Sequence, residues 1–144
     1  MHLRVRGMSR SVPARPRFLY TGIRVRNLAR SLAFYRRFGF KVVAKGTMAH
    51  GGKWIHLAYP GSRHRLELNY YPPRNRFYEP WRPGSEFDHF GFYAPDLKEW
   101  EKVARRAGAR KKLEFVEGST RILYFLDPNG VWLEAFGPAR PRRN

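Results

Sequence analysis

The chain has 144 residues, 42% of them hydrophobic and 16% aromatic, which is enough for one globular domain or for two half-size modules that share a core. It contains no cysteine, so disulfide bonds and thiolate metal sites are excluded and any metal must be held by oxygen and imidazole ligands. No run approaches the roughly 18 apolar residues that a membrane-spanning helix needs, and we therefore expect a soluble, cytoplasmic protein. The formal net charge of +18 comes partly from the two ends of the chain.

The two ends are rich in arginine and contain no acidic residue. Residues 1–17 lack the apolar stretch of a secretory signal, and we interpret them as a flexible basic tail, with an organellar transit peptide as the alternative. Residues 138–144 form a second basic tail. The folded domain is therefore predicted to span residues 18–137.

Between the tails, the pattern strand, helix and three strands occurs twice. The first helix is predicted from an Asn27 cap, apolar residues at helical spacing and a stop at Gly39; the second has an Asp96 cap and a stop at Gly108. A stretch rich in proline, arginine and glycine at 72–85 reads as a linker between the two halves. The predicted helices are Leu28–Phe38 and Leu97–Ala107, and the predicted strands are Phe18–Val25, Phe40–Ala44, Trp54–Tyr59, Arg65–Tyr70, Phe87–Tyr93, Lys112–Phe115, Arg121–Leu126 and Val131–Phe136.

A shift of 69 residues superimposes the start of one half on the other without a gap. The identical pairs are Phe18 and Phe87, Gly22 and Gly91, Leu28 and Leu97, Arg36 and Arg105, Arg37 and Arg106, and Gly39 and Gly108. An internal repeat of this kind predicts an α+β fold of two tandem βαβββ modules, residues 18–71 and 86–137, that form a half-barrel sheet around a concave site.

The last two strands are predicted to form a hairpin through the turn at residues 127–130. In the second of them, Glu134 shares one strand face with Trp132 and Phe136. A carboxylate between two aromatic side chains is costly unless something pairs with it, so either a cation sits there or its proton is held for chemistry. The alternative is that this strand lies at the edge of the sheet and exposes Glu134 to water.

The repeat also relates three other polar positions to each other and to Glu134. Tyr20 corresponds to His89 at a shift of 69, and Glu67 corresponds to Glu134 at a shift of 67. If the modules pack with pseudo-twofold symmetry, these four side chains converge in one concave site. Two carboxylates and an imidazole suit a divalent metal such as Zn, Ni, Co, Mn or Fe, although a histidine in an apolar strand is more often a core residue.

Four stretches of the sequence resemble a known superfamily: residues 20–35, 66–71, 87–92 and 127–134. They are similar to the vicinal oxygen chelate proteins, which include glyoxalase I, bleomycin-resistance proteins and extradiol dioxygenases, and they are closest to the glyoxalase I branch. The resemblance covers Phe18 to Gly137. It implies metal ligands at the positions of Tyr20, Glu67, His89 and Glu134, and a homodimer whose interface uses aromatic residues of the strands or of the segment 71–85.

One position departs from the superfamily pattern, because Tyr20 stands where a histidine or another good ligand is usual. A phenol is a poor ligand until it is deprotonated, so the expected metal ligands are Glu67, His89 and Glu134. Either water completes the site, or Tyr20 coordinates the metal or has a catalytic role in which it hydrogen-bonds to metal-bound substrate. Altered or absent activity is a further alternative. The resemblance gives the role of base to Glu134. Arg24 is expected to bind a carboxylate or phosphate of the substrate, with an arginine that faces solvent as the alternative. His50 lies in a loop expected to cover the site and is the second residue expected to bind substrate.

The resulting hypothesis is a metal-dependent lyase or isomerase of the glyoxalase type, which stabilises an enediolate of an α-hydroxycarbonyl or hemithioacetal substrate. Two alternatives stay open. One is a protein of the bleomycin-resistance type that sequesters a small molecule without catalysis. The other is nucleic-acid binding, suggested by the charge and by arginines interleaved with aromatic residues in the linker, and it is disfavoured because solvated arginine-rich surfaces are common.

Overall fold

In the computed structural model, which describes residues 15–140, the chain forms eight strands and two helices. The predicted element order is found, and helix α1 has the predicted bounds. Most of both predicted tails lies outside the described residues, although Arg17 and Pro138 belong to the first and last strands. The elements are β1 (Arg17–Arg24), α1 (Leu28–Phe38), β2 (Lys41–Thr47), β3 (Lys53–Ala58), β4 (Arg65–Tyr70), β5 (Phe87–Tyr93), α2 (Leu97–Arg106), β6 (Arg110–Glu117), β7 (Thr120–Leu126) and β8 (Trp132–Pro138).

The eight strands form one mixed, open sheet in the order β2-β3-β4-β1-β5-β8-β7-β6, which confirms the predicted α+β fold. Each module contributes four neighbouring strands. Strands β1 and β4 pair in parallel, as do their counterparts β5 and β8, and the two modules join where β1 and β5 pair antiparallel. The pairs Tyr20–Gly91 and Gly22–His89 lie opposite each other in this central ladder, so a pseudo-twofold axis runs between the two strands.

Local sequence chemistry places the ends of the elements. The side chain of Asn27 accepts a hydrogen bond from the backbone of Arg30 and starts α1, while Gly39 ends it at φ 110°, a left-handed conformation that favours glycine. In the last hairpin, the Asp127 carboxylate accepts hydrogen bonds from the backbone N–H groups of Asn129 and Val131, both at 2.8 Å. These contacts set the approach of β8 to β7.

Each module has an apolar core between its helix and one face of the sheet. In module 2, Leu97, Trp100 and Ala104 of α2 are buried with Leu123, Phe125 and Ala135. In module 1, Ile55, Leu57 and Leu68 are buried beneath α1, which has no buried residue of its own. Because strand side chains alternate, the residues next to these core positions point to the other face of the sheet. None of the helices within residues 15–140 is long and apolar enough to cross a membrane.

Candidate active site

The face of the sheet opposite the helices carries a cluster of buried polar side chains around the pseudo-twofold axis. The four predicted positions, Tyr20, Glu67, His89 and Glu134, all meet there. They come from β1, β4, β5 and β8, the four central strands of the sheet. The cluster is complete within one chain, so the predicted homodimer is not needed to assemble it and stays a prediction.

Two glycines make room for the two rings nearest the axis. The ring of Tyr20 lies against Gly91, where an added Cβ would come within 2.0 Å of the ring carbon Cζ. The ring of His89 lies against Gly22, where an added Cβ would come within 2.9 Å of the ring atoms. The two contacts are related by the pseudo-twofold axis. They hold the Tyr20 hydroxyl 3.0 Å from Nε2 of His89.

The two carboxylates flank the same nitrogen. Nε2 of His89 lies 3.2 Å from Oε1 of Glu67 and 3.3 Å from Oε2 of Glu134. The other ring nitrogen, Nδ1, lies 2.7 Å from the carboxylate of Asp88, which also accepts a hydrogen bond from the Tyr71 hydroxyl at 2.9 Å. His89 is therefore surrounded by oxygen atoms on both sides of its ring.

Sequence reasoning missed two members of the cluster, His56 and Tyr124. His56 lies opposite Glu67 in the ladder between β3 and β4, and its Nε2 is 2.5 Å from Oε2 of that carboxylate. Tyr124 lies opposite Glu134 in the ladder between β7 and β8, and its hydroxyl donates to Oε2 of Glu134 at 2.6 Å. Each is a polar residue within an apolar strand, and that alternation, combined with the repeat, was the signal that could have found them.

Each module thus contributes one tyrosine, one histidine and one glutamate to the centre of the cluster. The tyrosine and the histidine, however, occupy exchanged strands in the two modules. Module 1 has tyrosine on its first strand and histidine on its third, whereas module 2 has His89 on its first strand and Tyr124 on its third. The glutamates keep their places. The backbone symmetry is therefore retained while the side-chain chemistry of the two halves is reversed.

Burial and hydrogen bonds act in opposite senses on the charged members of the cluster. Burial pushes the pKa of Glu67 upward, but hydrogen bonds with His56 and His89 outweigh it and hold that pKa at about 2. Burial pushes the pKa of His89 downward, but hydrogen bonds with Asp88, Glu134 and Glu67 outweigh it and raise that pKa well above its ordinary value. Burial and the nearby carboxylates of Glu134 and Glu67 raise the pKa of Tyr20, which keeps its hydroxyl protonated.

Two adjoining cavities open over the cluster. The inner one, of about 330 Å³, is lined by Tyr20, His56, Glu67, His89, Tyr124 and Glu134 among others. The outer one, of about 450 Å³, shares His89 and Tyr124 with it and is lined by Arg24 and Arg76. The segment 72–85, which reads as a linker in the sequence, supplies much of the outer wall.

The two residues expected to bind substrate lie on these walls. Arg24 lines the outer cavity, donates to the backbone carbonyl of Glu79 at 2.5 Å and lies over the ring of Trp81. His50 lines both cavities, and its Nδ1 accepts a hydrogen bond from the backbone of Gly52 at 3.1 Å. Burial lowers the pKa of His50, although Glu117 opposes this effect. Both residues are therefore positioned to touch a bound molecule.

The donor atoms suit a divalent metal by their chemistry, but their arrangement does not fit one. Carboxylate and imidazole donors are those that Zn, Mn or Ni prefer. Within residues 15–140, however, no three His, Asp or Glu side chains are grouped so that they could hold one ion. The Tyr20 hydroxyl, both oxygens of Glu67 and Oε2 of Glu134 are instead engaged in polar contacts within the cluster. The metal site predicted at Glu67, His89 and Glu134 is not confirmed.

What the cluster can do without a metal is accept a proton and donate hydrogen bonds at one point. Glu134 is a carboxylate on the wall of the inner cavity, and the hydroxyls of Tyr20 and Tyr124 are donors beside it. A base close to several donors is the arrangement needed to remove a proton next to a carbonyl group and to stabilise the oxyanion that forms.

Comparisons with known proteins agree with this fold. The family model described as the Glyoxalase/Bleomycin resistance protein/Dioxygenase superfamily matches residues 17–135. No curated protein sequence matches the chain. Methylmalonyl-CoA epimerase from Mycobacterium tuberculosis is a similar solved structure, with 19% identity, a TM-score of 0.64 and coverage of 92% of this chain and 96% of the other.

Two further structures show the range of proteins that share the fold. A hypothetical protein from Bacillus halodurans C-125 has 16% identity and a TM-score of 0.62, with coverage of 90% of this chain and 99% of the other. A mutant 4-hydroxymandelate synthase from Streptomyces coelicolor has 11% identity and a TM-score of 0.58, with coverage of 94% of this chain and 53% of the other. At these identities the likeness establishes the fold and leaves the reaction to be argued from the site.

Proposed function

The chain belongs to the glyoxalase/bleomycin resistance protein/dioxygenase superfamily, and from this premise we propose that it is an enzyme that moves a proton on a carbon atom next to a carbonyl group. The observation that carries the proposal is the position of Glu134, on the wall of a cavity of about 330 Å³ and beside hydroxyl donors from both modules. A protein that only sequestered a ligand would have no use for three carboxylates around one buried imidazole.

In the proposed reaction, Glu134 removes the proton from the carbon atom. The electron pair of the broken C–H bond moves onto the carbonyl oxygen, which becomes the oxyanion of an enediolate or enolate. The hydroxyl of Tyr20 lines the same cavity and donates a hydrogen bond to that oxygen. The hydroxyl of Tyr124, which donates to Oε2 of Glu134 before the reaction, turns to the same oxygen once Glu134 is protonated. In an isomerisation, protonated Glu134 then returns the proton to the neighbouring carbon, which restores the carboxylate. In an epimerisation, a second group protonates the opposite face of the carbon, and Glu134 loses its proton to solvent before the next cycle.

Glu67, the other glutamate in the cluster, is poorly suited to act as the base. The pKa of Glu67 is held at about 2 by its hydrogen bonds with His56 and His89, after these outweigh the effect of burial, and so weak a base is poorly matched to removing a carbon-bound proton. Glu134 is also the more exposed of the two, with 12% of its side chain accessible against 7% for Glu67. The positioning role therefore falls to Glu67.

The outer cavity indicates the class of substrate. Arg24 and Arg76 line it, and they favour an anionic group at the end of the substrate distant from the reacting carbon. A glutathione hemithioacetal has such carboxylates, and an acyl thioester of coenzyme A has phosphates. Both place a carbonyl or incipient carbonyl next to sulfur, and both reactions begin with loss of a proton from the adjacent carbon.

Two reactions of this class are candidates. In a glyoxalase-type isomerisation, the proton returns to the neighbouring carbon and a hemithioacetal becomes a hydroxy-acyl thioester. In an epimerisation, a proton from a second group reaches the same carbon from the opposite face. The pair His56–Glu67 favours epimerisation as the second candidate, because it stands across the pseudo-twofold axis from the pair Tyr124–Glu134 and holds a hydrogen-bonded proton, the Nε2–Oε2 distance being 2.5 Å.

The test is solvent-deuterium exchange into the substrate carbon, comparing wild type with Glu134→Gln. The panel contains the hemithioacetal of methylglyoxal and glutathione and the pantetheine thioester of 2-methylmalonate. We expect exchange by the wild type and a loss on the order of 10²-fold or more in the variant, because glutamine keeps the shape but cannot accept the proton. Deuterium on the neighbouring carbon indicates isomerisation, and deuterium with loss of configuration indicates epimerisation.

Glu117→Gln is the matched control, because Glu117 lines the same cavity but hydrogen-bonds to the backbone of Ala49 outside the cluster. It should exchange at close to the wild-type rate. Equal exchange by wild type and Glu134→Gln would assign the base elsewhere, and Glu67→Gln would be tested next. No exchange by the wild type with either substrate class would favour the sequestering protein.

A further inference from the structure

We infer that this site holds its carboxylates through hydrogen bonds instead of a resident metal ion. We further infer that Tyr20 is the residue that keeps a metal ion from binding. The inference goes beyond the proposed function, because metal content is measured without knowing the substrate. It rests on the position of one phenol, on the partners of the carboxylate oxygens and on the exchange of tyrosine and histidine between the modules.

The first observation is where the Tyr20 hydroxyl lies. Only 1% of Tyr20 is exposed, and its oxygen is 3.0 Å from Nε2 of His89, the nitrogen that would have to bind the ion. The ring cannot move toward the sheet, because it already lies on Gly91, and the ring of His56 is 4.5 Å away on another side. The hydroxyl therefore lies beside the nitrogen that would bind the ion, and its fixed ring keeps it there.

The second observation is that three of the four carboxylate oxygens of Glu67 and Glu134 already have partners. Oε2 of Glu67 is 2.5 Å from His56, and Oε1 is 3.2 Å from His89. Oε2 of Glu134 accepts the Tyr124 hydroxyl at 2.6 Å. A metal ion would have to break several of these buried contacts, each stronger than an ordinary hydrogen bond because one partner is charged. The cluster is thus stable as a hydrogen-bonded network.

The third observation is that tyrosine and histidine occupy exchanged strands in the two modules. Histidines on both central strands would face each other across the axis, as Tyr20 and His89 do here. Instead the imidazole of module 1 lies on β3, where His56 points at Glu67 and not at the axis. An ion on the axis would meet an imidazole from module 2 but a neutral phenol, a weak ligand, from module 1.

The test measures bound metal in wild type, in Tyr20→His and in Tyr20→Phe. Each protein is stripped with a chelator, incubated separately with Zn²⁺, Ni²⁺, Co²⁺ or Mn²⁺, dialysed and analysed for metal per chain. We expect wild type and Tyr20→Phe to retain only a small fraction of one equivalent. Tyr20→His, which places a shorter imidazole on the axis, should retain about one ion per chain, in the way that a fourth ligand completes such sites.

Folding is checked by circular dichroism, because the smaller histidine leaves part of the Tyr20 volume unfilled. If Tyr20→His does not fold, the double exchange Tyr20→His with His56→Tyr replaces it. That variant keeps the total side-chain volume and gives module 1 the same order of ligands as module 2. The absorption spectrum of the Co²⁺ form reports whether bound metal lies inside the cluster. If it does, adding His89→Ala to the same variant must abolish that spectrum.

Stoichiometric metal in the wild type that His89→Ala loses would overturn the inference. A metal-free wild type together with a folded histidine variant that also binds no metal would overturn the role of Tyr20. Either result would leave the proposed proton transfer intact, because that depends on Glu134 and on deuterium exchange. Conversely, absence of exchange would not change the metal content.

Discussion

The two modules have the same strands in the same register, yet they differ on both faces of the sheet. On the site face, tyrosine and histidine change places between them. On the helix face, α2 buries Leu97, Trp100 and Ala104, whereas α1 buries no residue. The repeat places Ser31 of α1 where α2 has Trp100. The two halves thus share their backbone hydrogen-bonding geometry but differ in packing and chemistry.

The difference in the helices means that module 2 has the stronger core. Trp100 contacts the rings of Phe92 and Phe125, with centroids 5.6 and 5.5 Å away. Helix α1 has only half-buried residues against its sheet and leaves Phe34 and Phe38 51% and 64% exposed. We therefore expect α1 to open more readily than α2, which amide hydrogen exchange would show as faster exchange along α1.

The largest expected effect is the loss of stability when the anchor of module 2 is removed. Trp100→Ala should lower the free energy of unfolding by about 3–5 kcal/mol, because it leaves a large cavity in a close-packed core. Leu32→Ala, in the half-buried stripe of α1, should cost about 1–2 kcal/mol. Urea denaturation of the two variants measures both values. Equal losses would show that the helices contribute alike and would break the comparison.

The second prediction contrasts the two glutamates. The pKa of Glu67 falls from an ordinary 4.5 to about 2, because hydrogen bonds with His56 and His89 outweigh burial. A lowered pKa stabilises the fold above pH 4.5 by about 3 kcal/mol, and that contribution disappears as the pH falls through about 2. Glu67→Gln should lose this contribution, so its difference from wild type should be large at pH 6 and shrink in acid.

Glu134→Gln serves as the partner in that measurement. Its side chain can still accept the hydrogen bond from Tyr124, and only one of its oxygens has partners in the cluster. We expect a smaller loss of stability than for Glu67→Gln, measured by urea denaturation between pH 3 and pH 6. A larger loss for Glu134→Gln would show that the network holds Glu134 more strongly than Glu67.

The third prediction concerns the two glycines against which the central rings lie, and it includes the smallest single effect, that of Gly22→Ala. Neither has a positive φ, so an added methyl group acts through contact alone. Gly91→Ala would place Cβ 2.0 Å from Cζ of Tyr20 and should cost about 3 kcal/mol. Gly22→Ala would meet His89 and Asn69 at 2.9 Å and should cost about 1 kcal/mol. Thermal unfolding of both variants provides the measurement.

A double-mutant cycle identifies the contact that destabilises Gly91→Ala. If the ring of Tyr20 is what an alanine at 91 meets, Gly91→Ala should cost much less in a Tyr20→Ala background, giving a coupling well above the few tenths of a kcal/mol expected of independent sites. Additive effects would place the clash elsewhere in the sheet.

The sequence alone determined the order and nature of the elements. Helix α1 runs from Leu28 to Phe38 as predicted, because an N-cap, an apolar stripe and a left-handed glycine are all local signals. The internal repeat relates Tyr20 to His89 and Glu67 to Glu134 without any knowledge of contacts. Strand alternation then decides which side chains share a face of the sheet. These are properties of neighbouring residues, and short-range physics is enough to predict them.

Only the tertiary structure decided which residues touch. His56 and Tyr124 join the cluster because β3 pairs with β4 and β7 with β8 in registers that place them opposite the glutamates. The reach of Tyr20 to Nε2 of His89 depends on the ladder between β1 and β5, which joins residues far apart in the chain. Periodicity predicts the face on which a side chain lies but not its partner across the sheet, because register is set by the packing of the whole domain.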